Sequence, residues 1–325
     1  MKKILYTVCS ANHLAHCKTM ADSFVWFNEE YTVIIGLVDK VNGRFDINDF
    51  APHQLIEVHT IGIMGFEQMA SQYTVIELNC AMKPFMAQAI FAGYQPDILL
   101  YLDSDIWVQH AFTEVEAALI ENDILLTPHF STPLPDATKL TTERDMLRSG
   151  IFNAGFLALK NSDNAKAFLT WWVGHLQTEC YYNFAEGMGV DQIWLNLVPL
   201  FFDKVGILHN KGANVAYWNL HERKLSVVDA VVMVNETVPL LFLHISGYRF
   251  TEPEILSRHQ NRFDLKGLPV LAGLLAQYTK EVIRNGYEKY AVLPSVFSTS
   301  VKQTTGIMRT INKWLKPLGI KITDI

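Results

Sequence analysis

Cysteine is scarce in this chain of 325 residues: there are four, Cys9, Cys17, Cys80 and Cys180, and no CxxC pair. That spacing argues against a structural zinc site and supplies no disulfide framework, so four reduced thiols in a cytosolic protein is the plain reading. Charge is sparse too, with 18% Asp, Glu, Lys and Arg and a formal net charge of −6. An acidic balance lacks the basic footprint of a general nucleic-acid binder. No charge-free run reaches the roughly 18 apolar residues that a membrane-spanning helix needs. The opening MKKILYTVC begins like a signal peptide. Its apolar part is only Ile4 to Val8, however, and no small-residue cleavage site closes it, so a first core strand fits better. Repeats and low-complexity tracts are also missing. What is present is apolar: 50% of residues are hydrophobic and 12% aromatic. That is ample for a core in one large domain or two small ones.

Strand and helix patterns alternate over the first 130 residues. Ile4–Cys9 reads as a buried strand, and His13–Phe27 has its apolar residues at helical spacing. Tyr31–Val38 (YTVIIGLV) is uninterrupted and β-branched, as a parallel strand buried on both faces would be. Gln54–Val58 is a third strand. Residues 64–93 read as helix with a break at Lys83-Pro84, followed by strands at Asp97–Leu102 and Asp123–Thr127. This order predicts an α/β layered sheet. Residues 128–150, rich in Pro, Thr and Ser, read as a loop that would act as a lid or acceptor loop. Ile151–Leu159 reads as a strand and Ala165–Leu176 as an amphipathic helix, with Trp171-Trp172 assigned to the core rather than to a sugar platform.

The sharpest chemical signal is LLYLDSDIWV, residues 99–108. A buried strand ends in Asp103-Ser104-Asp105, at the strand end where α/β sheets bind ligands. Two carboxylates two residues apart can share one hard divalent cation and leave room for phosphate oxygens. Solvated turn acids are the alternative.

From this point the sequence resembles a family. YLDSDIWV is similar to the metal-binding motif of nucleotide-sugar glycosyltransferases with the glycosyltransferase-A fold. Four more segments resemble that family in order: ELNCAMKP (77–84), Phe152-Asn153-Ala154-Gly155, Gly189-Val190-Asp191-Gln192 followed by Asn196, and Leu243-His244-Ile245-Ser246-Gly247. Together they are most similar to the retaining family-eight enzymes, the group of glycogenin and lipopolysaccharide galactosyltransferases. ANVAYWNLHER (213–223) and residues 244–263 resemble related bacterial glycosyltransferase-like domains. The likeness runs over about residues 4–263.

The resemblance implies a single α/β domain with a mixed, Rossmann-like sheet flanked by helices. It would occupy residues 1–265, with a nucleotide-binding half to about 130 and an acceptor half from 131. A helical extension with a basic tail would fill 266–325. It implies Mn²⁺ or Mg²⁺ on Asp103, Asp105 and His244, a ligand set that suits Mn²⁺ better than Ca²⁺. For His244, which follows the apolar PLLFL, a satisfied core histidine is the alternative. Gln192 would face the anomeric carbon, and Asp191 would hold sugar hydroxyls or the acceptor. Ser10, Asn12, Asp39, Lys83, Ser104, Asn153, Gly155 and Gly247 would hold the nucleotide sugar, a UDP-sugar by analogy. The acceptor (glycan, glycolipid or protein) stays open. Transfer would proceed with retention, in bacterial surface polysaccharide assembly.

One departure stands out. The related enzymes extend the H-x-x-G segment to a lysine that grips the diphosphate, and Phe250 stands there in this chain. Arg249, Arg258 or Arg262 would have to replace it, and a planar guanidinium suits phosphate. His13, His16 and Cys17 read as ordinary helix composition rather than a metal site. In the tail, residues 291–325 carry five basic residues against Asp324, with Ile307, Met308, Ile311, Trp314, Leu315 and Leu318 at helical spacing. Such a segment can lie on an anionic membrane or pack on its own domain, which extends a cytoplasmic location to the inner membrane face. Oligomers stay open. Two rival readings remain. A sugar-phosphate nucleotidylyltransferase would need a Gly-rich loop after the first strand, where CSANHL stands instead. A non-catalytic sugar- or partner-binding relative is the other.

Overall fold

The computed structural model describes residues 1–297. The basic amphipathic segment inferred at 307–318 lies outside the described residues. In chain order the chain gives β1 (Lys3–Cys9), α1 (Leu14–Phe27), β2 (Tyr31–Leu37), β3 (Gln54–Glu57), α2 (Phe66–Gln72), α3 (Val75–Tyr94), β4 (Ile98–Leu102), β5 (Ile106–Val108), α4 (Thr113–Glu121) and β6 (Ile124–Pro128). There follow α5 (Glu143–Ser149), β7 (Phe152–Lys160), α6 (Asp163–Leu176), β8 (Tyr182–Asn183), β9 (Met188–Gly189), α7 (Gln192–Leu195), α8 (Val198–Phe201) and β10 (Val205–Ile207). The described chain closes with β11 (Leu225–Val228), β12 (Val231–Val234), β13 (Val238–Pro239), β14 (Phe242–His244), α9 (Pro269–Arg284) and α10 (Tyr287–Tyr290).

Seven strands form the central sheet in the order β10-β6-β7-β4-β1-β2-β3. All neighbours are parallel except β7, which runs antiparallel to both β4 and β6. The architecture is thus mixed α/β with a mostly parallel sheet. Side chains alternate across β1. Ile4, Tyr6 and Val8 join α2, α3 and α6 on one face, while Leu5 joins α1 and α4 on the other. Burial on both faces explains why β1, β2 and β4 read as unbroken apolar runs.

Two differences from the sequence reading have local causes. The helical stretch 64–93 divides at Tyr73-Thr74, where Thr74 and Glu77 form a reciprocal capping box, and Pro84 lies inside α3. Residues 128–150 are not all loop, because Thr142 and Asp145 form a second capping box that starts α5. A threonine followed three residues later by an acid was the available signal.

Helix α9 packs against α1. Leu271, Leu274, Leu275, Tyr278 and Val282 of α9 share a core with Leu14, Ala15 and Cys17 of α1. Trp172 is buried in the core, and Trp171 packs at its edge. None of the four cysteines is paired. Among the described residues no helix is long and apolar enough to cross a membrane.

Candidate active site

The sheet places its chemistry at one end. At the carboxyl end of β4 the chain turns through Asp103-Ser104-Asp105 into β5, and β5 pairs antiparallel with β14 so that His244 lies opposite Ile106. Ile245 N–H donates to the Asp105 carbonyl at 2.9 Å, which closes the register. His244 Nε2 consequently stands 3.3 Å from Asp105 Oδ1 and 3.9 Å from Asp103 Oδ2. One candidate ligand atom from each of the three residues lies within 4.8 Å of the others.

Two cavities meet at this cluster. The smaller, about 640 Å³, is lined by Ser10, Asn12, Asn79, Ser104 and residues Leu293–Ser295. The larger, about 770 Å³, is lined by Asn153, Gly155, Asp191, Gln192, Trp218 and His259 among others. His13, Lys83, Asp103 and Asp105 line both. His13, read from the sequence as ordinary helix composition, reaches the cleft because it ends the 3-10 turn Ala11–His13 that precedes α1. Beneath it His16 stacks on Phe250 at 5.5 Å. Burial, with His13 beside it, pushes the His16 imidazole down to about 3.

Lys83 projects from α3 into the junction. Its Nζ lies 3.0 Å from Asp103 Oδ1 and 2.8 Å from Asp191 Oδ2, and it donates to the Ala154 carbonyl at 3.0 Å. Burial alone would lower the Lys83 pKa, but Asp103 and Asp191 overcome it and hold the ammonium well above its usual value. Asp191 is 2% exposed. Burial raises its pKa, with Lys83 opposing. Its carboxylate makes no cap to α7; the helix start instead turns it toward Lys83. Trp172 Nε1 donates to the Asp191 carbonyl at 3.1 Å and pins that turn. Gln192, the first residue of α7, lines the larger cavity.

Not every residue singled out in the sequence reaches a cavity. Asp39 is fully buried. Its carboxylate pairs with Arg44 at 2.5 Å and accepts from Ala11 N and Val296 N. It fastens the segment 294–297 rather than lining the cleft. Gly247 adopts φ 75°, and a side chain there would meet Ser257 and His259; it shapes the loop. Arg249 is half exposed and pairs with Glu252 at 3.9 Å. Arg262 is spent on the carbonyls of Asp136, Lys139 and Thr141, tying down the 128–142 segment. Arg258 is exposed. Phe250 packs against Tyr287 and Tyr278, so this position is part of the seat for α9 and α10.

The trio fits a divalent cation by its own geometry. His244 Nδ1 lies 3.0 Å from Asn153 Oδ1 and 3.2 Å from Asn214 Oδ1. A carboxamide oxygen only accepts, so Nδ1 carries a proton, and Nε2 faces the two aspartates, where a cation or a second proton can bind. Two carboxylates and one imidazole suit Mn²⁺ or Mg²⁺. Without a cation Asp105 and His244 pair with each other. Burial opposes both charges, yet the attraction lowers the Asp105 pKa and raises that of His244. Asn214 and Trp218, whose ring stands edge-on to His244 at 5.1 Å, lie in the segment ANVAYWNLHER, to which the sequence reading gave no residue roles. They reach the site only through long-range folding.

Gly155 is what lets His244 come close. A Cβ there would collide with His244 Cε1 and would stand 2.9 Å from its Nδ1 and 2.8 Å from Asn153 Oδ1. Gly155→Ala is expected to leave the protein folded but weaken Mn²⁺ binding by about tenfold or more, as displaced ligand supports do. Calorimetric titration with MnCl₂ checks this, and unchanged affinity would contradict it.

No protein-family model matches the chain. Among curated proteins it is similar to the uncharacterized YfnF of Bacillus subtilis (strain 168), 29% identical over 193 residues, covering 57% of this chain and 61% of YfnF. The match thus spans about three fifths of that relative's length. It is also similar to YfnD of the same organism, 23% identical over 258 residues, with 76% of this chain and 79% of YfnD covered. Among solved structures it is similar to the glycosyltransferase GlyE of Streptococcus pneumoniae TIGR4, at 17% identity and a TM-score of 0.47, covering 91% of this chain and 66% of GlyE. It is likewise similar to the galactosyltransferase LgtC, crystallised with donor and acceptor sugar analogs, at 15% identity and a TM-score of 0.47, covering 90% of this chain and 97% of LgtC.

Proposed function

We propose that the protein is a metal-dependent glycosyltransferase that takes a nucleotide-diphosphate sugar, with UDP as the nucleotide. The observation that carries this reading is the Asp103–Asp105–His244 cluster at the seam between two cavities of about 640 and 770 Å³. A nucleoside in the smaller cavity and a sugar in the larger would bring the diphosphate across the seam. Mn²⁺ or Mg²⁺ held by Asp103, Asp105 and His244 would offset the charge of that diphosphate and of the departing nucleotide.

The protein's own groups would do the rest. Ser10, Asn12 and Ser104 would hold the nucleoside. Asn153 and the backbone around Gly155 would border the donor sugar. Lys83 keeps Asp103 and Asp191 in place within a buried site. Gln192 would face the anomeric carbon. An amide is a poor nucleophile, so transfer with retention would run on one face of the sugar. The bond from the anomeric carbon to the phosphate oxygen breaks, the acceptor oxygen bonds to that carbon, and the acceptor's proton passes to the leaving phosphate. The acceptor would be a glycan, glycolipid or protein, in bacterial surface polysaccharide assembly at the cytoplasmic side of the membrane. Residues 1–265 would carry most of this chemistry, Leu293–Ser295 would wall the nucleoside cavity, and α9 and α10 would brace α1.

A thermal-shift panel of UDP, GDP, CDP and dTDP, each with and without Mn²⁺, tests the reading. A ligand at a hundred times its dissociation constant adds about 2.7 kcal/mol of stability. The expected result is a Mn²⁺-dependent rise for UDP alone. A rise for another nucleotide would move the donor class, and no rise for any would favour a non-catalytic binding module.

A further inference from the structure

We infer that His129 and Asn153 form a hydrogen-bond relay that keeps a proton on Nδ1 of His244 and so leaves Nε2 to a cation. The inference rests on the metal reading above and deepens it.

The relay starts from a group with no choice. The Ile151 carbonyl can only accept, and His129 Nδ1 lies 3.2 Å from it. Nδ1 therefore donates. Burial pushes the His129 imidazole down to about 4, so the ring is neutral and its Nε2 can only accept. Asn153 Nδ2 fills that role at 3.2 Å. The two ends of a carboxamide are nearly the same in shape, and only their partners distinguish them. His129 fixes the nitrogen on its own side and thereby turns Oδ1 the other way. There Oδ1 accepts from Gly155 N at 3.2 Å and from His244 Nδ1 at 3.0 Å. Asn214 Oδ1, fully buried, lies 3.2 Å from the same nitrogen, while its own Nδ2 has no hydrogen-bond partner among the described residues. Asn153 therefore keeps a proton on His244 Nδ1 and leaves Nε2, which faces Asp103 and Asp105, to a cation or, without one, to a second proton. Metal-bound histidines commonly depend on such partners for ring orientation. Asn153 then acts as a positioning residue, with one hydrogen of its amide left for other contacts.

Two measurements test this. Nitrogen-15 spectra of the protein saturated with Mg²⁺, which unlike Mn²⁺ does not broaden the signals, should show His244 protonated at Nδ1. Mn²⁺ titration should show Asn153→Leu and His129→Phe weakened by about 10- to 100-fold, and Asn153→Asp restored close to wild type because it still offers Nδ1 an oxygen. Far-ultraviolet dichroism and melting temperature establish that each variant is folded. If Mg²⁺-bound His244 lacks a proton on Nδ1, or if folded Asn153→Leu binds Mn²⁺ as the wild type does, the relay is overturned. If the wild type binds neither cation, the metal reading fails, and the relay is upheld or overturned by whether Asn153→Leu removes the Nδ1 proton signal of His244.

Discussion

Asp105→Ala is expected to lower sugar transfer by about 10³-fold and to remove the Mn²⁺-dependent part of nucleotide binding. The side chain is 29% exposed and faces His244 Nε2 at 3.3 Å, so its loss opens no large cavity, and melting should move little. The size follows from its place in the ligand set. A cation offsetting charge on a leaving phosphate contributes several kcal/mol, and each 1.4 kcal/mol is about tenfold in rate. The same contact predicts a pH dependence. Burial opposes the charged His244, but Asp105 wins and raises its pKa. A proton and a cation compete for the same nitrogen. Lowering the pH through the raised His244 value should therefore weaken Mn²⁺ binding, and affinity should level off above it. In Asp105→Ala the cause of that rise is gone. Transfer within tenfold of wild type would remove Asp105 from the site's chemistry.

How legible the molecule was in its sequence depended on the range of the interaction that carried each feature. The β1, β2 and β4 strands were readable because burial on both faces leaves an unbroken apolar run. The carboxylates of Asp103 and Asp105 were readable because their spacing is local and a strand precedes them. The β5–β14 pair was not, since three residues on each side give too little pattern, and their pairing joins residues more than 130 positions apart. Asn214 and Trp218 fall within the quoted segment ANVAYWNLHER, but neither received a role, and His129 was not read at all. Each is an ordinary polar or aromatic residue until the fold sets Asn214 and Trp218 against His244 and His129 against Asn153. Arg249 shows the reverse. It sits next to a suggestive motif, yet the chain turns it outward to Glu252, because Phe250 is taken up by the aromatic seat of α9 and α10.

Lys83→Met should be the most destabilising single change in the site. Lys83 and Asp191 are 4% and 2% exposed, so removing the ammonium strands a carboxylate in the interior. Breaking one half of a buried ion pair costs about 3–5 kcal/mol; the partly exposed Asp103 adds less, because solvent screens it. The pH dependence discriminates this from a simple packing defect. In the wild type, burial already raises the Asp191 pKa against the pull of Lys83, and without Lys83 it rises further. An acid whose folded value is raised binds more protons folded than unfolded, so stability falls as pH increases between the two values. The deficit should be largest at neutral pH and shrink as the pH falls toward about 4, the unfolded aspartate value. A double variant, Lys83→Met with Asp191→Asn, should recover most of the loss, since it removes the stranded charge. Urea unfolding of the wild type, the two single variants and the double variant at neutral and acid pH measures both effects. A deficit independent of pH and not relieved by Asp191→Asn would show that the side chain's volume, not its charge, holds this end of the sheet together.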